Sequence, residues 1–405
     1  MVELKFEQLT FTEQKDSIRV NFLRNYYFDI PKNEIEKIAG YKIKRNSIVF
    51  ENISEKSASQ KFNFLIDRHF GSLTNILTKK NTVYIHKNSG IPLIGNTAFG
   101  IVYRNTNILE VKPVTGCNLN CIYCSIDEGA DTRKNNDFIV EKDYLLEEIE
   151  KMAEFIGEEW NCHIGTHGEP LLYPELTGLI KGISKIKNIK AISMDTNATL
   201  LTEKKVDELA EAGLTRFNVS LDAIDEKIAG KMCNAEYNVA HVKKICRHIA
   251  KKADLIIAPV LVQGWNDDEI EKIVKFALEI NKRNQKVKLG IQNFLEYAYG
   301  RKPAKQLSWE KFFEKLRSLE KKYNAKLILS AEDFGIRKSK TLEKPFKKGS
   351  SVMARIMCNG MCCNDKIAAS EGRSINVLNC GAKIGKTIKV RITRDKHNCF
   401  AGICR

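Results

Sequence analysis

Three cysteines, Cys117, Cys121 and Cys124, stand at the spacing C-x3-C-x2-C, with the aromatic Tyr123 just before the last of them. Thiolate sulfur is a soft ligand that selects iron–sulfur clusters, zinc or copper(I). Iron–sulfur cubes are usually held by four cysteines, and this run supplies three. A cube with three protein ligands leaves one iron open, as a catalytic zinc site keeps one position free for substrate. A zinc knuckle is the alternative chemistry, and chance spacing in a chain of 12 cysteines is the bland one. A zinc site wants a fourth Cys or His close by. None follows within the next 30 residues, the next candidates being Cys162 and His163.

The elements behind this loop must hold it where a small molecule can reach it. From residue 107 the apolar pattern becomes regular. Strands are predicted over 107–112, 162–166, 189–194, 216–221, 255–262 and 287–295. Helices are predicted over 143–157, 174–187, 202–213, 235–252 and 267–283, with Thr202 as an N-cap and Gly213 as a stop. Strand and helix alternate about six times, which implies an α/β fold with a curled parallel sheet and helices outside.

Short motifs fall at the predicted strand ends. Gly168-Glu169-Pro170 follows the second strand and Thr196-Asn197-Ala198-Thr199 the third; Ser220-Leu221-Asp222-Ala223 ends the fourth. Val262-Gln263-Gly264-Trp265-Asn266-Asp267 ends the fifth, and Gly290-Ile291-Gln292-Asn293-Phe294 lies on the sixth. Each alone is an ordinary strand-to-helix cap. In this order behind the triplet they resemble the radical SAM superfamily over about residues 107–300. The resemblance implies a partial (β/α)6 barrel, whose chemistry gathers at the carboxyl ends of the strands.

The resemblance also implies cofactors. A 4Fe-4S cluster would sit on Cys117, Cys121 and Cys124, and its open iron would chelate S-adenosylmethionine. Gly168-Glu169-Pro170 resembles the family's G-G-E segment, which meets the methionine amino group. Thr196, Asn197, Ser220 and Asp222 match positions that contact ribose and carboxylate. Gln263 and Asn266 lie in a turn similar to P-G-x-N-D, with Gln263 where proline is usual; Gln292 stands where the family contacts adenine, and Tyr123 beside the cluster. The reduced cluster would pass an electron, drawn from a donor such as ferredoxin or flavodoxin, and release a 5′-deoxyadenosyl radical. No catalytic residue is assigned. His163 reads as a hydrogen-bonded core residue, His167 as the better active-site candidate, and Glu169 as a cofactor contact rather than a base.

Residues 1–85 read as an α+β region with strands over 21–28 and 47–50 and a helix over 34–39 stopped by Gly40. No cysteine precedes Cys117, so this region cannot carry a second cluster of the kind methylthiotransferases hold there. Asp67-Arg68-His69-Phe70-Gly71 misses the cobalamin pattern D-x-H-x-x-G by one place. After the barrel region (86–300), residues 301–345 carry a helix over 308–323, capped by Ser308, that reads as a brace against the barrel's open edge. Tyr297, Tyr299 and Arg301 suit either the site's mouth or a surface turn.

From 346 to 405 the pattern becomes short strands over 352–356, 374–377, 387–392 and 399–402, with Gly turns at 372, 381 and 385, which suggests a small β-barrel. Residues 384–398 resemble the end of a TRAM domain, an OB-like RNA-binding barrel. Charge agrees independently. Residues 335–405 hold 16 Lys/Arg against 4 Asp/Glu, and the other 334 residues hold 50 against 46. A local basic excess is what polyanion binding needs, with a solubilising tail as the bland alternative. Lys386, Lys389, Arg391, Arg394 and Lys396 are the candidate RNA contacts. The six cysteines here, Cys358, Cys362, Cys363, Cys380, Cys399 and Cys404, read as buried thiols, with an auxiliary cluster as the alternative.

The charged start and the lack of a long apolar run lead to a cytoplasmic expectation, where thiols stay reduced. Together these readings point to a radical SAM enzyme acting on RNA, such as tRNA, presented base-outward to the barrel mouth. No membrane or DNA partner is expected. A peptide- or protein-modifying enzyme with a C-terminal auxiliary cluster is the alternative, and a non-catalytic RNA-binding protein with a structural metal is a third reading.

Overall fold

Six parallel strands lie side by side in chain order: Ile108–Lys112, Trp160–Ile164, Ile189–Thr196, Arg216–Val219, Asp254–Ile257 and Val287–Leu289. The antiparallel strand Gly100–Tyr103 closes one edge. Helices between them pack on the outer face and complete a partial (β/α)6 barrel. The computed structural model describes residues 1–282, 287–362 and 364–404.

Local sequence explains the outer layer. Helix Lys142–Ile156 buries Leu145, Ile149, Met152, Ala153 and Ile156, one stripe at helical spacing. It stops at Gly157, whose φ of 70° suits glycine. Thr202 caps Glu203–Glu211 by accepting from the Lys205 amide at 3.1 Å. The strands are two-sided. On the third, Ile192 and Met194 join the core under the helices, while Ala191, Ser193 and Asp195 face inward.

Several boundaries differ from expectation, each for a local reason. The strand expected over 255–262 breaks at Pro259, which has no amide to donate; Asp254–Ile257 stays in the sheet and Val260–Leu261 leaves it. The strand expected over 287–295 splits likewise, and Gln292–Asn293 pairs with Val260–Leu261 as a separate ladder. The helix expected over 235–252 begins at Val239, after a shorter helix, Glu226–Cys233, ends at left-handed Asn234. That over 174–187 is Leu176–Ile183. That over 267–283 is Glu269–Asn281, and Arg283 lies outside the described residues. The single strand expected over 21–28 is a hairpin, Ser17–Phe22 with Tyr26–Pro31, reversed by Leu23 and Arg24 at positive φ. The helix expected over 34–39 is Lys32–Glu36 and stops before Gly40.

The N-terminal strands and helix Glu55–Phe70 form two small sheets, and the larger one takes in Asn136–Val140 from just beyond the cysteine loop. Buried Asp137 anchors this junction, accepting from Asn75 at 3.0 Å and Thr115 at 3.1 Å. Helix Trp309–Tyr323 does more than brace an edge. Lys315 pairs with Asp267 (2.7 Å), just before the neighbouring helix, and Lys322 with Glu271 (2.9 Å) on it, while Phe312 and Leu316 face the inward side of the strands.

Five strands, Ser351–Asn359, Lys366–Ser370, Arg373–Leu378, Thr387–Arg394 and Phe400–Cys404, close into the expected small barrel. Its own core includes Ile356, Ile375, Val390, Ile392 and Phe400. Among the described residues, no helix is long and apolar enough to cross a membrane.

The small barrel docks through backbone, the Ser374 amide donating to Ile94 O (2.9 Å) and the Phe400 amide to Gly95 O (2.8 Å). A Cβ on Gly95 would stand 2.1 Å from Ser374 O, at a φ of 128°. Gly95→Ala should therefore lower stability by about 1–3 kcal/mol and hasten proteolytic release of the C-terminal barrel. An unchanged urea midpoint and cleavage rate would show that the contact carries no such strain.

Candidate functional site

The cysteine loop leaves the first strand through Thr115–Gly116, which pairs in parallel with His167–Gly168. This pairing explains the glycine at 168. A Cβ there would lie 1.8 Å from Gly116 O, and its φ of 136° disfavours other residues. The loop is then fastened on three sides. The Asn120 and Ile122 amides donate to Cys233 O (3.0 Å) and Met232 O (2.9 Å). Tyr123 donates its hydroxyl to Asp222 at the fourth strand end. Asn118 bonds Thr199 (2.8 Å) and Asn197 (2.9 Å) after the third.

Arg301 adds a further fastening. Its guanidinium donates to the carbonyls of Asn120 and Cys121, to the Asn120 side chain (2.7 Å), and to buried Asp127 (2.7 Å). Its own amide donates to Cys124 O at 2.9 Å. Of the three residues left open in the sequence, Arg301 is the loop's clasp, Tyr297 lines the cavity, and Tyr299 is exposed.

All three triplet cysteines border one cavity of about 300 Å³. The Leu119 amide donates to Cys117 Sγ (3.4 Å) and the Glu128 amide to Cys124 Sγ (3.2 Å). Cys121 turns toward Cys233, a neighbour that sequence spacing did not reveal. Among the described residues no group of three His, Cys, Asp or Glu side chains stands together at metal-coordinating distance. Burial pushes the Cys117 and Cys124 thiols up, and the Cys233 contact with burial does so for Cys121. A soft cationic centre would displace those protons. Three soft donors on one clasped loop, facing one cavity, fit an iron–sulfur cube in their chemistry.

Tyr123, Gly168, Glu169, Thr196, Asn197, Ser220, Asp222 and Gln292 line this cavity as well. Glu169 is pinned, accepting from Thr196 Oγ1 (2.8 Å) and the Asn197 (2.8 Å) and Leu171 (3.1 Å) amides. Burial raises its pKa to about 7 and that of Asp222 to about 6. Three candidates are not brought to the cavity. Pro170 is buried at the start of a 3-10 turn. Gln263 is exposed beside Asp267 and Lys315. Asn266 is buried and bonds Asp222 O (2.8 Å), Val260 O (2.9 Å) and the Val262 amide (2.8 Å), so it ties the fourth strand end to the split fifth strand.

His163 is hydrogen-bonded, as expected, and His167 is not among the residues that line the cavity. His167 is half-buried with its Nδ1 buried and unpartnered, and the cavity is lined by its neighbours Thr166 and Gly168. His163 faces the barrel interior, bonded to Ser193 (3.0 Å) and Asp195 (3.1 Å). Residues missed from sequence include Glu128, Cys233, Tyr237 and Asn293, all on the cavity wall. Glu128 pairs with buried Lys134, and burial lifts its pKa to about 7 despite that partner.

The C-terminal cysteines do not form one set. Cys380 is disulfide-bonded to Cys404, correcting the expectation of thiols throughout: barrel closure brings the end of one strand to the end of another, with 5.9 Å between their Cα atoms. Cys358 and Cys399 are buried thiols and Cys362 is partly exposed, while Cys363 lies outside the described residues.

A family model described as the Radical SAM superfamily matches residues 111–277. A Methanocaldococcus jannaschii protein described as uncharacterized is 35% identical over 97% of each chain. GTP 3',8-cyclase of Clostridium botulinum is 36% identical over 42% of this chain and 51% of its own, so the chain spans about half that relative's length. Streptococcus suis SuiB, a solved structure, is 14% identical and covers 80% of this chain and 70% of that one at a TM-score of 0.43.

Two outcomes follow from this geometry. Arg301→Ala should leave the chain folded but reduce iron retained after anaerobic reconstitution several-fold, with Arg301→Lys intermediate because it lacks the fork; equal iron in all three would remove the clasp. Glu169, with its pKa raised above the unfolded value of 4.5, adds stability that is present at low pH and lost as pH rises through about 7. Glu169→Gln should flatten the metal-free protein's stability curve between pH 5 and 8, by on the order of 2 kcal/mol. A slope as steep as the parent's would refute that.

Proposed function

The chain belongs to the radical SAM superfamily and is an enzyme of that class, working with a 4Fe-4S cluster and S-adenosylmethionine; from that premise we propose that it modifies RNA, with tRNA as the first candidate. Cys117, Cys121 and Cys124 are assigned to the cluster. When bound, the cluster supplies the electron that cleaves S-adenosylmethionine. This chain's own residues hold and orient. Gly168 brings backbone close to the cavity, Glu169 and Asp222 set carboxylates where a cationic ligand neutralises their burial, and Asn197 and Ser220 offer polar contacts beside them.

One observation supports RNA. Lys386, Lys389, Arg391, Arg394 and Lys396 are all exposed on or beside the strand Thr387–Arg394. Lys389 and Arg391 project from one face while Val390 and Ile392 fill the small barrel's core, as period two requires. The acid within this run, Asp395, pairs with Lys344 instead, at 3.6 Å. Met353 and Ile403, aligned with Lys389 and Arg391 on the flanking strands, are 58% and 41% exposed. Cations with no carboxylate partner among the described residues, interleaved with apolar groups, suit phosphates beside ribose and base, and the five-stranded closed barrel suits a TRAM-like module.

The cysteines speak against the peptide-modifying alternative, since among the described ones Cys380 and Cys404 are bonded to each other and Cys358 and Cys399 are buried. The test is a salt titration. Lys389→Gln/Arg391→Gln should weaken binding to total tRNA and flatten the slope of log K against log salt by roughly 0.7–0.9 for each phosphate no longer neutralised. An unchanged slope, or no tRNA binding by the parent protein at low salt, would sink the RNA reading.

A further inference from the structure

A second cavity, about 630 Å³ in volume, fills the barrel below the cysteine loop. Asp195, Gln292, Asn293 and Leu295 border both cavities, so the two adjoin at the strand ends. One wall of this chamber is polar, because the inward positions of the strands carry Glu110, His163, Asp195, Arg216 and Asn218. The opposite wall is apolar, built by Trp309, Phe312, Phe313 and Leu327.

Most charges on the polar wall are matched. Glu110 pairs with Arg104 and reaches Lys112 at 3.8 Å; His163 pairs with Asp195 at 3.1 Å; Asn218 donates to Asp195 at 2.8 Å. Arg216 is the exception. Its guanidinium lies 5.4 Å from the Phe334 ring centre, its Nε is buried without a hydrogen-bond partner, and no carboxylate reaches salt-bridge distance among the described residues. Asn218 Oδ1 and Asn293 Oδ1 are likewise buried and unpartnered. Three residues that line the chamber therefore each carry a buried, orphaned polar atom, and such groups are costly unless something satisfies them.

We propose that this chamber binds a small organic carboxylic acid bearing amino or hydroxyl donors, its carboxylate seated on Arg216 and its donors on Asn218 and Asn293. Arg216 supplies one fork, with Nε and a terminal nitrogen parallel, which matches one carboxylate in bidentate fashion. Glu110 and Asp195 share the wall and repel further negative charge, so a singly charged acid fits better than a phosphate dianion. The aromatic wall takes the ligand's apolar side. With the acid group at the base of the strands, the other end points to the shared border with the cluster cavity. A base turned out of RNA carries no anion at its leading edge, so this occupant is a free small molecule. The inference does not depend on the RNA reading.

The test uses the intact protein without RNA. Calorimetric titration compares 4-aminobenzoate with 4-aminobenzamide, its neutral isostere, and with phenyl phosphate. The acid should bind about tenfold or more tightly than the amide, as charged hydrogen bonds allow. Arg216→Gln should erase that preference, and Arg216→Lys, with charge but no fork, should keep part of it. Melting curves establish that each variant is folded; should Arg216→Gln not fold, Arg216→Lys and Asn218→Leu carry the comparison, each expected to weaken the acid. Equal binding of acid and amide, no binding of either, or a preference that survives Arg216→Gln would overturn the proposal. Tighter binding of phenyl phosphate would overturn the carboxylate assignment. Because no RNA is present, these results stand or fall apart from the salt titration of the basic strand.

Discussion

The grip of Arg301 on the cysteine loop is the interaction on which the site depends. A loop of three thiols has little reason to hold its shape, since it lacks the backbone ladder of a strand and buries few apolar groups. One guanidinium supplies what is missing by donating to two loop carbonyls, one loop side chain and the carboxylate of Asp127. Asp127 is itself held by Arg133 at 2.9 Å. Charged, partly buried hydrogen bonds of this kind are about twice as strong as neutral ones. The loop is thereby preorganised, and the barrel ends only have to meet it through Tyr123–Asp222 and Asn118–Asn197.

The fifth and sixth strands break where they approach the site. Were they continuous, their ends would run on in the main sheet. Pro259 interrupts the ladder, and the paired tails Val260–Leu261 and Gln292–Asn293 carry Gln292 and Asn293 to the border of both cavities. Asn266, which never reaches the cavity, fixes the tail by bonding Val260, Val262 and Asp222. A motif residue can thus matter through geometry without touching a ligand.

What was legible in the sequence was whatever is local. The triplet, the strand-end motifs and the caps are each written within a few residues, and eight of the eleven cofactor candidates line the cavity. Long-range partners were not legible. Arg301 meets a loop some 180 residues earlier, and Cys233 reaches Cys121 only once helix Glu226–Cys233 forms. The inner chamber did leave a trace. A parallel sheet covered on both faces reads as continuous apolar strands, yet Glu110-Val111-Lys112, Ser193-Met194-Asp195 and Arg216-Phe217-Asn218 alternate polar with apolar. That alternation marks an inner face in contact with something other than a hydrocarbon core.

The small barrel's position links the two ends of the molecule. It touches the chain just beyond the cysteine loop, where the Asn135 amide donates to Met361 O (2.7 Å) and Asn136 Nδ2 to Gly360 O (2.7 Å). One residue earlier, Lys134 pairs with Glu128, whose amide donates to Cys124 Sγ. Hydrogen bonds and one peptide link, Lys134–Asn135, therefore join the C-terminal barrel to the third cysteine. Contacts of this kind transmit an effect only if the element between has two arrangements, and the buried Lys134–Glu128 pair, with Glu128 Oε2 unpartnered, is the part least satisfied in the arrangement seen. That pair and Arg301 are two of the contacts that fix where the loop stands, beside Tyr123–Asp222, Asn118–Asn197 and the amides of Asn120 and Ile122.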